Sequence, residues 1–359
     1  MSILPKGPDD NRLRGRGVAS NEVGRYERLR RNAESDGWDT PDDQSVLRTE
    51  VSIEPVRKAI TYNASPDLPF DRSVNPYRGC EHGCVYCFAR PGHAWLGLSP
   101  GLDFETRLIA RPDLPDVMDQ ELSRPSYSCK PIAIGTFTDP YQPIEKEYKI
   151  MRRTLRILAD RKHPVAIVTK GSLIERDIDI LSEMSAQNLC RVGISVTTLD
   201  PKLSRHMEPR VPAPKRRLQI IERLAAAGIP VRVMASPMIP GLTDPELEAI
   251  LTAAKNAGAG SASWIMLRLP LEVSKLFQDW LTDHYPNRAN GILAKLRDMH
   301  GGQDYRADWG KRMRGEGTYA KLISNRFNIA VKRLALKTDL PPLTTDKFTP
   351  QGGKQLSLF

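Results

Sequence analysis

The stretch "RSVNPYRGCEHGCVYCFAR", residues 72–90, holds three of the chain's five cysteines. Cys80, Cys84 and Cys87 are spaced C-x3-C-x2-C. Residues 72–79 read as a strand running straight into this loop. Gly79 and Gly83 give the loop the backbone freedom to wrap a compact group. Thiolates gathered this tightly repel one another, and a cation bound among them offsets the cost. Zinc in a structural site takes four ligands, usually in two short-spaced pairs. Here Cys129 and Cys190 stand alone and far off, and His82 or His93 would have to complete a Cys3His set inside one short loop. An iron–sulfur cluster is held by thiolates and accepts three from the protein, leaving one iron open.

From that strand onward the chain alternates. "PIAIGTF" (131–137), "PVAIVTKG" (164–171), "CRVGISVTT" (190–198), "IPVRVMASPMI" (229–239) and "SASWIMLRLP" (261–270) are apolar runs of strand length. Each is followed by a helical pattern, over 144–163, 173–187, 214–228, from about 243, and over 271–285. In the third of these, Leu218, Ile221, Leu224 and Ala225 share a face, and Gly228 stands where a helix ends. Six strand–helix units with nearly continuous apolar strands predict an α/β fold, a parallel sheet covered by helices. No G-x-G-x-x-G follows the first strand, which disfavours the doubly wound alternative. The expected architecture is a partial (β/α)6 TIM-like barrel over residues 70–285, with N- and C-terminal extensions. Its site lies in the loops at the strand C-termini, where the cysteine loop also falls.

Residues 1–60 are polar, with eleven basic and eleven acidic side chains. They read as a largely disordered extension, with a short helix over 23–34 and an "RGRG" (14–17) suited to phosphates. Residues 286–338 read as a basic helical region; 288–339 carry twelve Lys/Arg against five Asp/Glu. Residues 339–359 read as a flexible tail. The whole chain has 359 residues and a net charge of +10, which suits a polyanionic partner. No charge-free apolar run is long enough to span a bilayer, and the N-terminus has no signal-peptide pattern. The expected location is the cytoplasm, where cysteines stay reduced.

Taken with the six-unit alternation, C-x3-C-x2-C with Tyr86 before the third cysteine resembles the radical S-adenosylmethionine (SAM) superfamily. The resemblance implies one [4Fe-4S] cluster on Cys80, Cys84 and Cys87, with SAM chelating the fourth iron. One electron would then cleave SAM to methionine and a 5′-deoxyadenosyl radical, which abstracts a substrate hydrogen. An external donor such as flavodoxin or ferredoxin would supply the electron. Tyr86 would lie near the adenine. The second-strand turn "GTFTDPYQPIE" (135–145) lacks the family's paired glycines and Glu, so Gly135, Thr136, Thr138 and Asp139 are the candidates there. Asp139 would accept from the SAM ammonium, and Lys170 would meet its carboxylate. Ser195 and Thr197 are placed for the ribose, with Glu208 and Arg217 following. Ile239 and Gly241, in "PMIPGLTD" (237–244), would pack under the adenine. "TDPYQPIE", "TKG" (169–171) and "EPRVPAPKRRL" (208–218) are similar to the spore photoproduct lyase branch, a DNA repair group. Some lyases of that branch use a cysteine as hydrogen donor. Cys129 and Cys190 precede or begin strands, at the end away from the site, and read as small buried side chains.

The last five residues, Gln355, Leu356, Ser357, Leu358 and Phe359, resemble the peptide by which bacterial replication and repair proteins bind the DNA polymerase sliding clamp. The function expected is radical SAM chemistry on DNA, in repair or nucleic-acid modification. The alternatives are the same chemistry on RNA, a peptide or a small molecule, and a non-catalytic metal-binding protein.

Overall fold

The computed structural model describes residues 16–26 and 48–350. Among these residues ten strands form. They are β1 (Glu50–Ile53), β2 (Ile60–Tyr62), β3 (Arg72–Val74), β4 (Tyr77–Arg78), β5 (Arg107–Ala110), β6 (Ile132–Ile134), β7 (Val165–Thr169), β8 (Cys190–Ser195), β9 (Val231–Met238) and β10 (Ser261–Met266). Seven make one sheet in the order β10-β9-β8-β7-β6-β3-β2. The six predicted strands, β3 and β6–β10, are its parallel core, and β2 is added antiparallel at the β3 edge. Strand follows strand in sequence order and the ends do not pair, as an open partial barrel requires. Val165, Ile167, Val192, Ile194, Val233 and Ala235 are buried in its core. Helices Ile150–Asp160, Ile178–Ala186, Pro214–Ala226 and Leu247–Asn256 follow successive strands.

The helix expected over 144–163 is two, Glu145–Tyr148 and Ile150–Asp160, parted by Lys149 at φ 52°. Glu145 explains the break. Its buried carboxylate accepts from Met151 N at 3.1 Å, satisfying a free donor of the second helix, and from Arg176 Nη2 at 2.6 Å. β4 pairs with β5 in a small second sheet with β1, so the strand expected over 72–79 is likewise split, at Asn75-Pro76.

The described parts of the N-terminal arm and residues 339–350 of the tail pack on the barrel, which differs from the disorder expected for them. The N-terminal arm lies on the cysteine loop. Gly17 N donates to Glu105 Oε2 at 2.8 Å and Arg16 Nη1 to Glu105 O at 2.9 Å. Of the "RGRG", Gly17 is thus bound to a carboxylate and Arg16 to a backbone carbonyl and the Thr49 hydroxyl. Val18 is buried, and a Cβ at Gly17 would meet Gly83 O at 1.7 Å. Residues 23–26 form no helix, and the rest of the helix read over 23–34 lies outside the described residues.

The C-terminal region contains helices Pro286–Met299 and Gly317–Arg333. Met266 N donates to Met313 O and Ala262 N to Lys337 O, so this region covers the free edge of β10. The chain then crosses the N-terminal ends of the strands as a strap. Arg232 Nη2 donates to Thr338 O, Asn188 Nδ2 to Pro342 O, and Thr344 N to Asn188 O. Thr349 N donates to Arg161 O, and Phe348 packs edge-on to His163 at 5.2 Å. Residues 355–359 lie outside the described residues.

Candidate active site

A cavity opens at the C-terminal ends of the strands. Cys80, Cys84 and Cys87 form one wall, and residues from the ends of β6 to β10 form the others. The cysteine loop is built as a chain of turns. Gly83 N donates to Cys80 O, Cys87 N to Cys84 O and Arg90 N to Cys87 O, each at 3.2 Å. Gly79 and Gly83 carry positive φ (74° and 67°), and a Cβ at Gly79 would meet Leu108 Cδ2 at 2.6 Å. The fully buried Arg90 holds the loop from inside. It donates to Cys84 O at 2.9 Å and Gly101 O at 2.9 Å, and pairs with buried Glu105 at 2.5 Å. Gln142 spans the loop's entry, accepting from Glu81 N at 2.8 Å and donating to Gly79 O at 3.2 Å.

Burial raises the pKa of all three thiols. For Cys80 and Cys84, nearby acidic groups (Asp139 and Glu208 respectively) and then the other thiols add to it. A thiolate set here needs a bound cation. Among the described residues, no three His, Cys, Asp or Glu groups are arranged to hold one metal ion. In a polynuclear cluster each thiolate meets a different iron, so three thiols of one short loop need not converge on one ion. The donor set therefore fits an iron–sulfur cluster.

Behind the loop lies a fully buried polar network. Tyr86 Oη donates to Glu208, Thr197 Oγ1 donates to Glu208 Oε1 at 2.7 Å, and Arg217 Nη2 donates to Glu208 Oε2 at 2.5 Å. Arg217 also donates to Ser195 O at 3.1 Å and Ser204 Oγ at 2.8 Å. Burial works to raise the Glu208 pKa, but the charges of Arg217 and Lys170 and the hydroxyl donors hold it below the usual carboxylate range. Burial and the Glu208 charge push the Tyr86 phenol well up, so it stays a donor.

Residues 74–254 match the family described as the radical SAM superfamily. The chain belongs to the radical SAM superfamily. It is therefore an enzyme of the radical SAM class. An uncharacterized protein of Mycobacterium tuberculosis is 37% identical over 235 residues, 65% of this chain and 68% of that protein. One of Methanocaldococcus jannaschii is 27% identical over 213 residues, 59% of this chain and 76% of that protein. Among solved structures, spore photoproduct lyase complexed with dinucleoside spore photoproduct gives a TM-score of 0.57 at 14% identity, covering 79% of each chain. The last likeness is one of fold.

The radical SAM fold brings several of the sequence-predicted residues to the cavity: Tyr86, Gly135, Thr138, Asp139, Lys170 and Ser195. Thr136, Thr197, Ile239 and Gly241 do not line it. Thr197 is in the buried network, and Ile239 packs in the apolar cluster that contains Tyr86 and Cys84. Gly241 lies against Lys295 instead. The Thr138 hydroxyl donates to Tyr77 O at 2.9 Å. Asp139 lines the cavity with its carboxylate already engaged. Oδ1 accepts from Thr169 Oγ1 at 2.6 Å and Tyr141 N at 2.9 Å. Oδ2 accepts from Lys170 N at 2.7 Å and faces His82 Nδ1 at 3.4 Å. Three hydrogen bonds and the nearby His82 ring tie the β6, β7 and cysteine loops together through this carboxylate. Lys170 differs: its Nζ sits 5.8 Å from the Tyr86 ring centre, with no ion pair among the described residues.

Sequence reasoning missed Arg90, Phe88, Phe137 and Arg268, the last three of which line the cavity. Arg268 had a signal: it is the one charge in the apolar run "WIMLRLPL" (264–271). Cys129 and Cys190 stand before β6 and at the start of β8, at the far ends of the strands. Burial raises their thiols to about 11 and about 12. Among the described residues, no helix is long and apolar enough to cross a membrane.

Proposed function

We propose that this enzyme binds a [4Fe-4S] cluster on Cys80, Cys84 and Cys87 and uses SAM to modify or repair DNA. The carrying observation is the wall of three buried thiols facing a cavity at the strand C-termini, which also holds an unpaired lysine. When bound, the cluster supplies one electron that cleaves SAM and yields a hydrogen-abstracting radical. The chain's own residues do the rest. Lys170 offers its charge to the SAM carboxylate, and Tyr86, held by Glu208 and Thr197, offers a fixed ring beside the adenine. Met234, Met266, Leu267 and Pro237 line the cavity with apolar surface that keeps water from the radical. An external one-electron donor of the flavodoxin or ferredoxin type completes the cycle.

Several features support DNA as substrate. The basic surplus falls in residues 288–339, and the loop between the two C-terminal helices exposes Trp309 (63%) amid arginines. The lyases that share this fold include one solved with a dinucleoside lesion. The tail peptide Gln355–Phe359 adds a sliding-clamp partner. Pro350, the last described residue, lies against Arg161 on the face opposite the cavity, so docking beyond it leaves the cavity open.

The test is anaerobic SAM cleavage with dithionite, with and without DNA, across a salt series. The reading expects DNA to stimulate cleavage, and salt to weaken that stimulation. Equal turnover with and without DNA sinks the substrate assignment. Clamp pull-down with and without residues 355–359 tests the partner, and equal retention removes it.

A further inference from the structure

Buried arginines in this molecule carry their own carboxylates. Arg90 has Glu105 and Arg217 has Glu208, both at 2.5 Å; Arg72 has Asp71 at 2.8 Å and Arg161 has Asp119 at 2.6 Å. Desolvating a guanidinium is costly unless an anion answers it. Among the described residues, half-buried Arg191 and Arg232 have no carboxylate either, but they donate to the backbone carbonyls of Pro341 and Thr338 in the strap. Arg268 sits at the other end of the sheet. It follows β10 by two residues, is half-buried, and lines the cavity. Its guanidinium lies 4.0 Å from the Phe88 ring centre. Among the described residues no carboxylate pairs with it. Burial lowers its pKa, as expected of a cation lacking a counter-ion.

Two flat apolar surfaces line the same cavity. Phe88 and Phe137 are 37% and 40% exposed and both line the cavity. Phe137 is seated on Gly92, where a Cβ would come within 2.6 Å of Phe137 Cζ, so its ring has a fixed support. A forked cation stacked on one aromatic ring, in a cavity that a second, supported ring also lines, complements an anion joined to a flat ring, which is the chemistry of a nucleotide.

We propose that Arg268 is the substrate-anion site, its guanidinium binding a backbone phosphate while the adjoining base lies on Phe88 or Phe137. This rests on the nucleic-acid reading above and specifies which residues recognise that substrate. Lys170 meets the SAM carboxylate, and Arg268 meets the phosphate of the substrate.

The experiment is fluorescence anisotropy of the reconstituted full chain with a fluorescein-labelled single-stranded DNA of about 16 nucleotides, with SAM present and across a salt series. Arg268→Gln is expected to weaken binding roughly tenfold and to lower the slope of log affinity against log salt by about 0.7, the loss of one phosphate contact on a single strand. Arg268→Lys keeps the charge without the fork, so it should keep the slope with intermediate affinity. The melting temperature of Arg268→Gln should change little, because removing an unpaired cation and losing its stack on Phe88 act in opposite directions. Arg268→Gln binding with wild-type affinity and slope overturns the proposal. So does a change confined to SAM affinity, which would move Arg268 to the SAM site. If the wild type shows no salt-dependent binding, the nucleic-acid reading falls and takes this proposal with it; silence of Arg268→Gln alone leaves that reading standing.

Discussion

At the N-terminal ends of the barrel strands, residues 337–350 run across β10, β9, β8 and β7, and each crossing is closed by hydrogen bonds to backbone or side chain. At the C-terminal ends, Lys170 and Arg268 face a cavity without an ion pair among the described residues, beside three thiols that burial keeps protonated. The same sheet thus has one end sealed by its own chain and one end whose charges await something the chain does not supply. Stability is invested below and function above. The polar network around Glu208 joins the two, since it is satisfied like the floor yet built directly behind the cavity wall.

The largest expected effect comes from breaking that network. Glu208→Ala leaves the fully buried Arg217 cation without its carboxylate, a loss of about 3–5 kcal/mol. Chemical denaturation measures it, and a loss below about 1 kcal/mol would show that solvent reaches Arg217. The next effect belongs to the sealed end. His163 is fully buried, and burial lowers its pKa to about 4. The unfolded chain binds that proton near pH 6.5. Between about 6.5 and 4 the unfolded state therefore holds more protons, so stability falls as pH drops through that window, by up to about 3 kcal/mol. His163→Asn should flatten the slope of stability against pH there; an unchanged slope would place the titration elsewhere. Smaller still, Phe348→Ala should cost about 1–2 kcal/mol from a half-buried ring while leaving SAM cleavage unaltered. A matching loss of cleavage would show that the strap does reach the cavity. Cys190→Ala should cost about 1 kcal/mol and leave the iron content unchanged.

Much of the barrel was legible because parallel strands buried on both faces read as apolar runs, and the helices between them repeat with a 3.6 period. The three cysteines were legible because close-spaced thiols have few chemical uses. What was not legible depends on contacts between distant residues. The break at Lys149 follows from Glu145 reaching to Met151 and Arg176. The strap follows from Asn188 meeting Thr344, 156 residues away. The arm follows from Gly17 finding Glu105, 88 residues away. None of these leaves a periodic trace, and the polar composition of the N-terminal arm and of the tail suggested disorder instead. Asp139 was placed at the cavity, but its sequence neighbourhood could not show that Thr169 and the backbone of Tyr141 and Lys170 would donate to its oxygens. Arg268 stood in plain view as a charge in an apolar run, and was passed over as part of a strand.

The account's central claim is that the three clustered thiols hold a redox cofactor while the two lone ones do not. Anaerobic reconstitution with iron and sulfide, followed by iron analysis and SAM cleavage by dithionite, tests it most directly. Wild type and Cys190→Ala should each carry roughly four irons per chain and cleave SAM, while Cys84→Ala should lose both. Equal iron and equal cleavage in Cys84→Ala, or zinc in the wild type with SAM left intact, would contradict it.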